Sequence, residues 1–151
     1  MVDVSIEVIL PKATDWSVLW VWECKDYRNP VGVEDLEEFW AKIQQIGGAN
    51  IKAGVASTSA LRSGALNYAR SKGIAVIRVL PDDQVHWVLN LEGTASLAQH
   101  HSERNMSLAA LTQADFIGED RQVFGEWRAA PITGWVDLLK MSLPDGEPEL
   151  S

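Results

Sequence analysis

The chain of 151 residues has little cysteine and no long apolar run. Its single cysteine excludes an internal disulfide framework and a zinc cage built from cysteines. No segment approaches the ~18 apolar residues that span a bilayer, and the first residues show no basic region followed by an apolar one. A glycine-rich phosphate loop is also absent from the sequence. We therefore expect a globular cytoplasmic protein, of one domain or one domain plus a subdomain, that does not contact membranes.

Basic residues are scarce in the second half of the chain. Residues 1–80 carry nine Lys/Arg and nine Asp/Glu, whereas residues 81–151 carry four Lys/Arg against twelve Asp/Glu. The whole net charge of −8 therefore lies after residue 80. A polyanionic partner would meet the first half and be repelled by the second, which argues against a passive basic coat for nucleic acid.

The first half alternates strand and helix patterns. Apolar residues recur every second position in "VDVSIEVIL", which predicts a half-buried strand, and a second strand runs from about residue 17 to 25. The helical stripe is formed by Leu36, Phe39, Trp40, Ile43 and Ile46, and Gly47-Gly48 ends it. The pattern continues with a third strand, "IKAGVAS", a second helix that ends at Gly73, and a fourth strand, "IAVIRVL". The predicted order is therefore β-β-α-β-α-β. This order predicts an α/β sandwich with parallel late strands, and the first two strands as antiparallel neighbours.

The second half has a weaker pattern. "VHWVLNL" predicts one further strand, and residues 95–143 contain pieces compatible with helix. We divide the chain into a core of residues 1–80, an acidic C-terminal extension or subdomain of residues 81–143 that packs on it, and a flexible tail of residues 144–151.

An acidic and a basic residue end the buried second strand. Side chains two apart on a strand project to the same side, so Glu23 and Lys25 share a face and Cys24, expected in the core, takes the other. If the first two strands are antiparallel, Asp3 lies near this pair. Two carboxylates and a lysine at one sheet edge suit a hard divalent cation with oxygen ligands. Such an ion polarises a phosphate, while the lysine stabilises charge on the reacting group. An ordinary surface ion pair is the alternative.

Four further residues are candidates for contacting substrate. Lys42 and Gln45 lie on the first predicted helix, and spacing does not separate Gln45 from Gln44. The alternative for these residues is a solvated helix face. Ser57, with the hydroxyls of Thr58 and Ser59, is expected to cap the second helix or touch a phosphate. Arg28 is a candidate phosphate contact.

Two stretches carry a family resemblance: "VDVSIEV" and "WVWECKDYRNPVGVEDLEEFWAKIQQIGGANIKAGVASTSALRSGALNYARSKGIAVIRV". Together they resemble the restriction-endonuclease-like superfamily with the PD-(D/E)xK signature. Within it, the chain is most similar to the Mrr-type restriction endonuclease branch, over about residues 2–80. The resemblance implies a three-layer sandwich with a mixed central sheet. It also implies that Asp3, Glu23 and the backbone carbonyl of Cys24 bind Mg²⁺, for which Mn²⁺ substitutes, and that Lys25 assists the attacking water. The implied activity is hydrolysis of DNA phosphodiester bonds.

The family usually has a helix before its first strand, and only Met1 and Val2 precede Asp3 here. We therefore expect the second half of the chain, a missing N-terminal element or a partner chain to cover that face of the sheet. Cleavage of both DNA strands would suit a two-fold homodimer. The alternatives are a non-catalytic nuclease-like module for binding or assembly, and a nuclease that acts on RNA or branched DNA.

Overall fold

The computed structural model describes residues 3–47, 50–86, 97–119 and 121–132, without the side chains of residues 97–102. Its strands are β1 (Val4–Val8), β2 (Val18–Lys25), β3 (Ile51–Ser57), β4 (Ala75–Val79), β5 (Val85–His86), β6 (Gly118–Glu119), β7 (Val123–Trp127) and β8 (Ala130–Ile132). Its α-helices are α1 (Val33–Ile46), α2 (Ser63–Lys72) and α3 (Leu97–Thr112), and a short 3₁₀ helix covers Asp82–Gln84.

Six strands form one mixed sheet in the order β1-β2-β3-β4-β7-β8. Strands β2, β3 and β4 are parallel, while β1, β7 and β8 pair antiparallel with their neighbours. The α/β class, the β-β-α-β-α-β order and the antiparallel β1–β2 pair are confirmed. The nuclease-specific version of this fold stays a prediction.

The described helices lie on one face of the sheet. Leu36, Phe39 and Ile43 of α1 are buried in a cluster with apolar residues of α2 and of β2 to β4, as their helical spacing predicts. Leu111 of α3 belongs to the same cluster. The prediction for Ile46 was wrong, because this last residue of α1 is 43% exposed. Helix α1 nevertheless ends at Ile46, followed by Gly47 at a positive φ of 67°.

The opposite face carries a cluster of tryptophans. Trp20, Trp22 and Trp127 are buried together, and the rings of Trp20 and Trp22 stack with centroids 5.4 Å apart. Gly54 makes this possible, because a Cβ there would lie 2.4 Å from the Trp22 ring. The mixed sheet and the three described helices are compatible with the predicted three-layer sandwich.

The second half of the chain contributes to the central sheet. Strand β7 pairs with β4, and β8 follows it in a hairpin; neither strand was predicted. Strand β5 is the start of the predicted "VHWVLNL" strand, whose remaining residues lie outside the described part, as does the predicted tail 144–151. The predicted boundary at residue 80 stays a prediction, with the sheet continuing beyond it. No helix in the described part of the chain is long and apolar enough to cross a membrane.

Candidate functional site

Two opposite charges are buried where β2 ends. Strand alternation directs Glu23 and Lys25 to the helix-covered face, where they are only 5% and 8% exposed. The Nζ of Lys25 lies 2.6 Å from Oε1 of Glu23. The shared face is confirmed, and the alternative of an ordinary surface ion pair is excluded by the burial. Each charge would be costly here without the other.

Helix α1 supplies a second cation to this pair. The Nζ of Lys42 lies 3.1 Å from Oε2 of Glu23 and 3.2 Å from Glu38, one turn earlier on the helix. Both oxygens of Glu23 therefore meet an ammonium group. Lys42 was a candidate substrate contact, and the structure places it at the site. Gln45 is exposed on the same helix and does not bond to Glu23.

Lys25 is held as a cation. Its Nζ donates a hydrogen bond of 3.3 Å to the Tyr27 hydroxyl and lies 3.9 Å from a carboxylate oxygen of Asp35. Burial lowers the pKa of Lys25, but the hydrogen bonds to Glu23 and Tyr27 and the charge of Glu23 raise it more, to about 12. The group is therefore suited to stabilising negative charge and unsuited to accepting a proton near neutral pH.

Asp3 reaches the same strand end from β1. It precedes the first paired residue, and its exposed carboxylate accepts a 2.7 Å hydrogen bond from the backbone N–H of Cys24. The carbonyl of the next residue, Lys25, accepts from Thr58 on the β3 side. Because backbone groups alternate along a strand, the carbonyl of Cys24 points to the β1 side, beyond the last paired residue, Val4.

The prediction that Cys24 belongs to the core was wrong. Its side chain is on the face opposite Glu23, as predicted, but it is exposed. The reason is that the described part of β1 begins at Val4, opposite Trp22, so no described strand residue flanks Cys24 on that side. Local burial, then the charges of Asp3 and Glu23, raise the pKa of the thiol.

The remaining candidates lie around a cleft at the carboxyl ends of β2, β3 and β4. The cleft has a volume of about 400 Å³ and includes Arg28, which is exposed. Ser57 is buried beside it, with its hydroxyl 3.2 Å from that of Ser59. The predicted capping role of this serine cluster was wrong, because α2 begins later, with Arg62 at its N-cap position.

Sequence reasoning missed a buried arginine beside this cleft. Arg78 of β4 is 2% exposed, and its guanidinium donates hydrogen bonds to the carbonyls of Ala110, Gln113 and Ala114 where α3 ends. Burial lowers its pKa. The apolar neighbours of Arg78 in "IAVIRVL" indicated a buried strand. A charged residue within a buried strand needs hydrogen-bond partners, and this was the signal that could have identified Arg78. Arg78 satisfies helix carbonyls and holds α3 against the sheet.

The site can be compared with what a divalent cation needs. Within the described ranges, no group of three or more His, Cys, Asp or Glu residues is placed to hold a metal. Mg²⁺ commonly binds one or two carboxylates and keeps several waters, and carboxylate and carbonyl oxygens are the donor types of Asp3, Glu23 and the Cys24 backbone. The cation would compete for Glu23 with Lys42, whose side chain is 30% exposed, more readily than with Lys25 at 9%.

No protein-family model, curated protein or solved structure matches this chain.

Proposed function

We propose that this chain is a Mg²⁺-dependent endonuclease domain that hydrolyses DNA phosphodiester bonds. One observation carries the proposal: the Asp3 carboxylate accepts a hydrogen bond from the backbone N–H of Cys24, the residue between Glu23 and Lys25. The carboxylates of Asp3 and Glu23, the backbone carbonyl of Cys24 and the buried ammonium group of Lys25 thus lie at one strand end. The sequence resemblance to the PD-(D/E)xK superfamily, in its Mrr-type branch, supports the same chemistry.

Each residue has a definite part in this proposal. Asp3, Glu23 and the carbonyl of Cys24 would hold Mg²⁺, or Mn²⁺ in its place. The bound ion would polarise the phosphate and lower the pKa of its water. Lys25 keeps its proton, since its pKa is about 12, and stabilises the negative charge that develops around phosphorus. Glu23 orients Lys25 through their 2.6 Å contact.

Substrate contacts are proposed for the cleft at the carboxyl ends of the strands. Arg28 and the Ser57–Ser59 hydroxyls line or border it. Arg28 follows Lys25 closely in the chain, and Ser57 pairs with Lys25 between β2 and β3. Thr58 donates a 2.8 Å hydrogen bond to Asp26, which shows that a carboxylate shares the cleft with Arg28. A phosphate backbone would therefore be held by few cations, and the metal would supply much of the attraction.

The decisive experiment measures Mg²⁺ binding by calorimetry and cleavage of supercoiled DNA with the same variants. We expect Asp3→Asn to weaken both. Lys25→Met should retain Mg²⁺ binding and lose cleavage by on the order of a hundredfold or more. Glu37→Gln, which removes an exposed carboxylate from α1, is the matched control and should retain both. Absence of Mg²⁺ binding in the parent chain would contradict the proposal.

A non-catalytic binding or assembly module is the second candidate. The observation that favours it is the occupation of both Glu23 oxygens by Lys25 and Lys42, which balances the buried carboxylate without any metal. Mg²⁺ affinity that is unchanged in Asp3→Asn, with no cleavage of DNA, RNA or branched DNA by the parent chain, would support this candidate. Cleavage of RNA or branched DNA alone would reassign the substrate and keep the chemistry.

A further inference from the structure

Strand β1 forms one edge of the six-stranded sheet. Its described pairing is with β2 alone, in the register Val4↔Trp22, Ile6↔Trp20 and Val8↔Val18. Leu19 and Lys25 of β2 make backbone hydrogen bonds toward β3. By alternation, Trp20 and Trp22 bond toward β1, where they meet Ile6 and Val4. The backbone N–H and C=O groups of Ser5 and Glu7 therefore point away from the sheet.

This edge is unusually apolar for one that faces solvent. Val4 is 45% exposed and Ile6 is 41% exposed, and beyond the strand Ile9 and Leu10 are 59% and 41% exposed. Edge strands are normally protected by charge, proline or a bulge, because their free backbone groups pair readily with another strand. Within β1, Glu7 is the one charged residue.

The sequence of β1 is complementary to itself. Ile6 is the central residue of Val4–Val8, so antiparallel pairing of two copies about Ile6 is the register that uses all five residues. It places Val4 opposite Val8 and Ser5 opposite Glu7 of the second copy. No carboxylate then faces a carboxylate, whereas a register centred on Glu7 would oppose two like charges. The outward backbone N–H and C=O groups of Ser5 then form hydrogen bonds with those of Glu7 of the second copy.

We propose that two copies of this chain associate through β1, with Ile6 on the two-fold axis, to form one continuous sheet. The contact is isologous, as in most homodimers. A five-residue ladder with a few flanking apolar side chains is small, so the dimer is expected to be weak and to depend on concentration.

The association has a consequence for the candidate site. In this register Asp3 lies opposite Ile9 of the second copy. The exposed apolar residues Ile9 and Leu10 of one copy would then border the Asp3 carboxylate of the other. Each site would gain an apolar wall that a single copy leaves open to solvent. The association itself does not depend on the proposed nuclease activity.

Cysteine cross-linking tests the register. In a Cys24→Ser background, which removes the only natural thiol, Ile6→Cys should form a disulfide-linked dimer under mild oxidation. Directly opposed residues of a non-hydrogen-bonded pair have Cα atoms about 4.5 Å apart, within the range of a disulfide. Val4→Cys, at an equally exposed position, is the matched control and should not cross-link, because it faces Val8 of the other copy. Equal cross-linking of both variants, or of neither, would overturn the proposal.

Sedimentation analysis tests the backbone pairing. Ser5→Pro removes an outward N–H and is compatible with an edge strand, whereas Ser5→Ala keeps the N–H. The parent and Ser5→Ala should dimerise as concentration rises, and Ser5→Pro should remain monomeric with an unchanged circular dichroism spectrum. A dimer that persists in folded Ser5→Pro would contradict pairing through β1. If Ser5→Pro does not fold, the cysteine pair decides the matter alone.

Discussion

Local burial, followed by the charges of Asp3 and Glu23, raises the pKa of the Cys24 thiol. Replacing Asp3 by Asn removes one of these charges. We expect the pKa of Cys24 to fall in Asp3→Asn and its alkylation by iodoacetamide at pH 8 to become faster, because the thiolate is the reactive form. Glu7→Gln, which removes an exposed carboxylate from β1, is the control and should leave the rate unchanged. An unaltered rate in Asp3→Asn would show that the carboxylate is not placed beside Cys24.

The ammonium group of Lys25 has a raised pKa, which makes its contribution to stability dependent on pH. A folded-state pKa of about 12, against an ordinary 10.5, corresponds to on the order of 2 kcal/mol. This contribution is fully present below about pH 10.5 and is lost as the pH rises through about 12. We expect the free energy of unfolding, measured by urea denaturation between pH 9 and 12, to fall more steeply for the parent than for Lys25→Met.

An exposed lysine gives the reference for that experiment. Lys72→Met should follow the pH dependence of the parent. If the free energy of unfolding fell with pH equally steeply in Lys25→Met and in the parent, the buried contact with Glu23 would not raise the pKa of Lys25.

The residues at the site that depend on local sequence pattern could be predicted, whereas those that depend on distant parts of the chain could not. The shared face of Glu23 and Lys25 follows from strand alternation, which depends only on neighbouring residues. The exposure of Cys24 depends on where β1 begins, and the carbonyls at the end of α3 that Arg78 binds lie 32 to 36 positions later in the chain. Neither can be read from a local period.

Helix α3 is joined to the sheet by a buried cation. Arg78→Met should remove the guanidinium hydrogen bonds to the carbonyls of Ala110, Gln113 and Ala114. We expect a loss of about 2–4 kcal/mol in the free energy of unfolding. Arg62→Met, at an exposed position, should change it little. Chemical denaturation of the two variants measures the difference. Equal stabilities would contradict the role of Arg78 in holding α3.

Strand β7 shows why some elements escaped prediction. Its sequence, VFGEW, has no apolar alternation, because Glu126 is buried against Arg70 of α2 at 2.6 Å. Gly125 is required by close packing, since a Cβ there would lie 2.7 Å from the carbonyl oxygen of Val76. Tertiary contacts therefore determine this strand, whereas α1 and β1 were predicted from their own periodicity.

The whole molecule carries a net charge of −8, which opposes DNA. If Asp3 and Glu23 bind a divalent cation, that ion should convert part of this repulsion into attraction. We expect Ca²⁺, which need not support cleavage, to strengthen binding of a short duplex on the order of tenfold, about 1.4 kcal/mol. Fluorescence anisotropy with Ca²⁺ and with EDTA measures the effect.

The same titration on a variant identifies where the ion acts. Asp3→Asn should bind the duplex equally weakly in both solutions. Equal enhancement by Ca²⁺ in the parent and in Asp3→Asn would place the ion elsewhere on the molecule.

The pairing of β4 with β7 joins Val76 to Glu126 across some fifty intervening residues. In contrast, β2, α1, β3, α2 and β4 follow one another in space in the order in which they are synthesised. Contacts between distant residues form late, since a long loop must close before they contribute. The β7–β8 hairpin and α3 should therefore dock last during folding. The guanidinium of Arg78 would lose its water only at that final step, when the α3 carbonyls arrive to replace it.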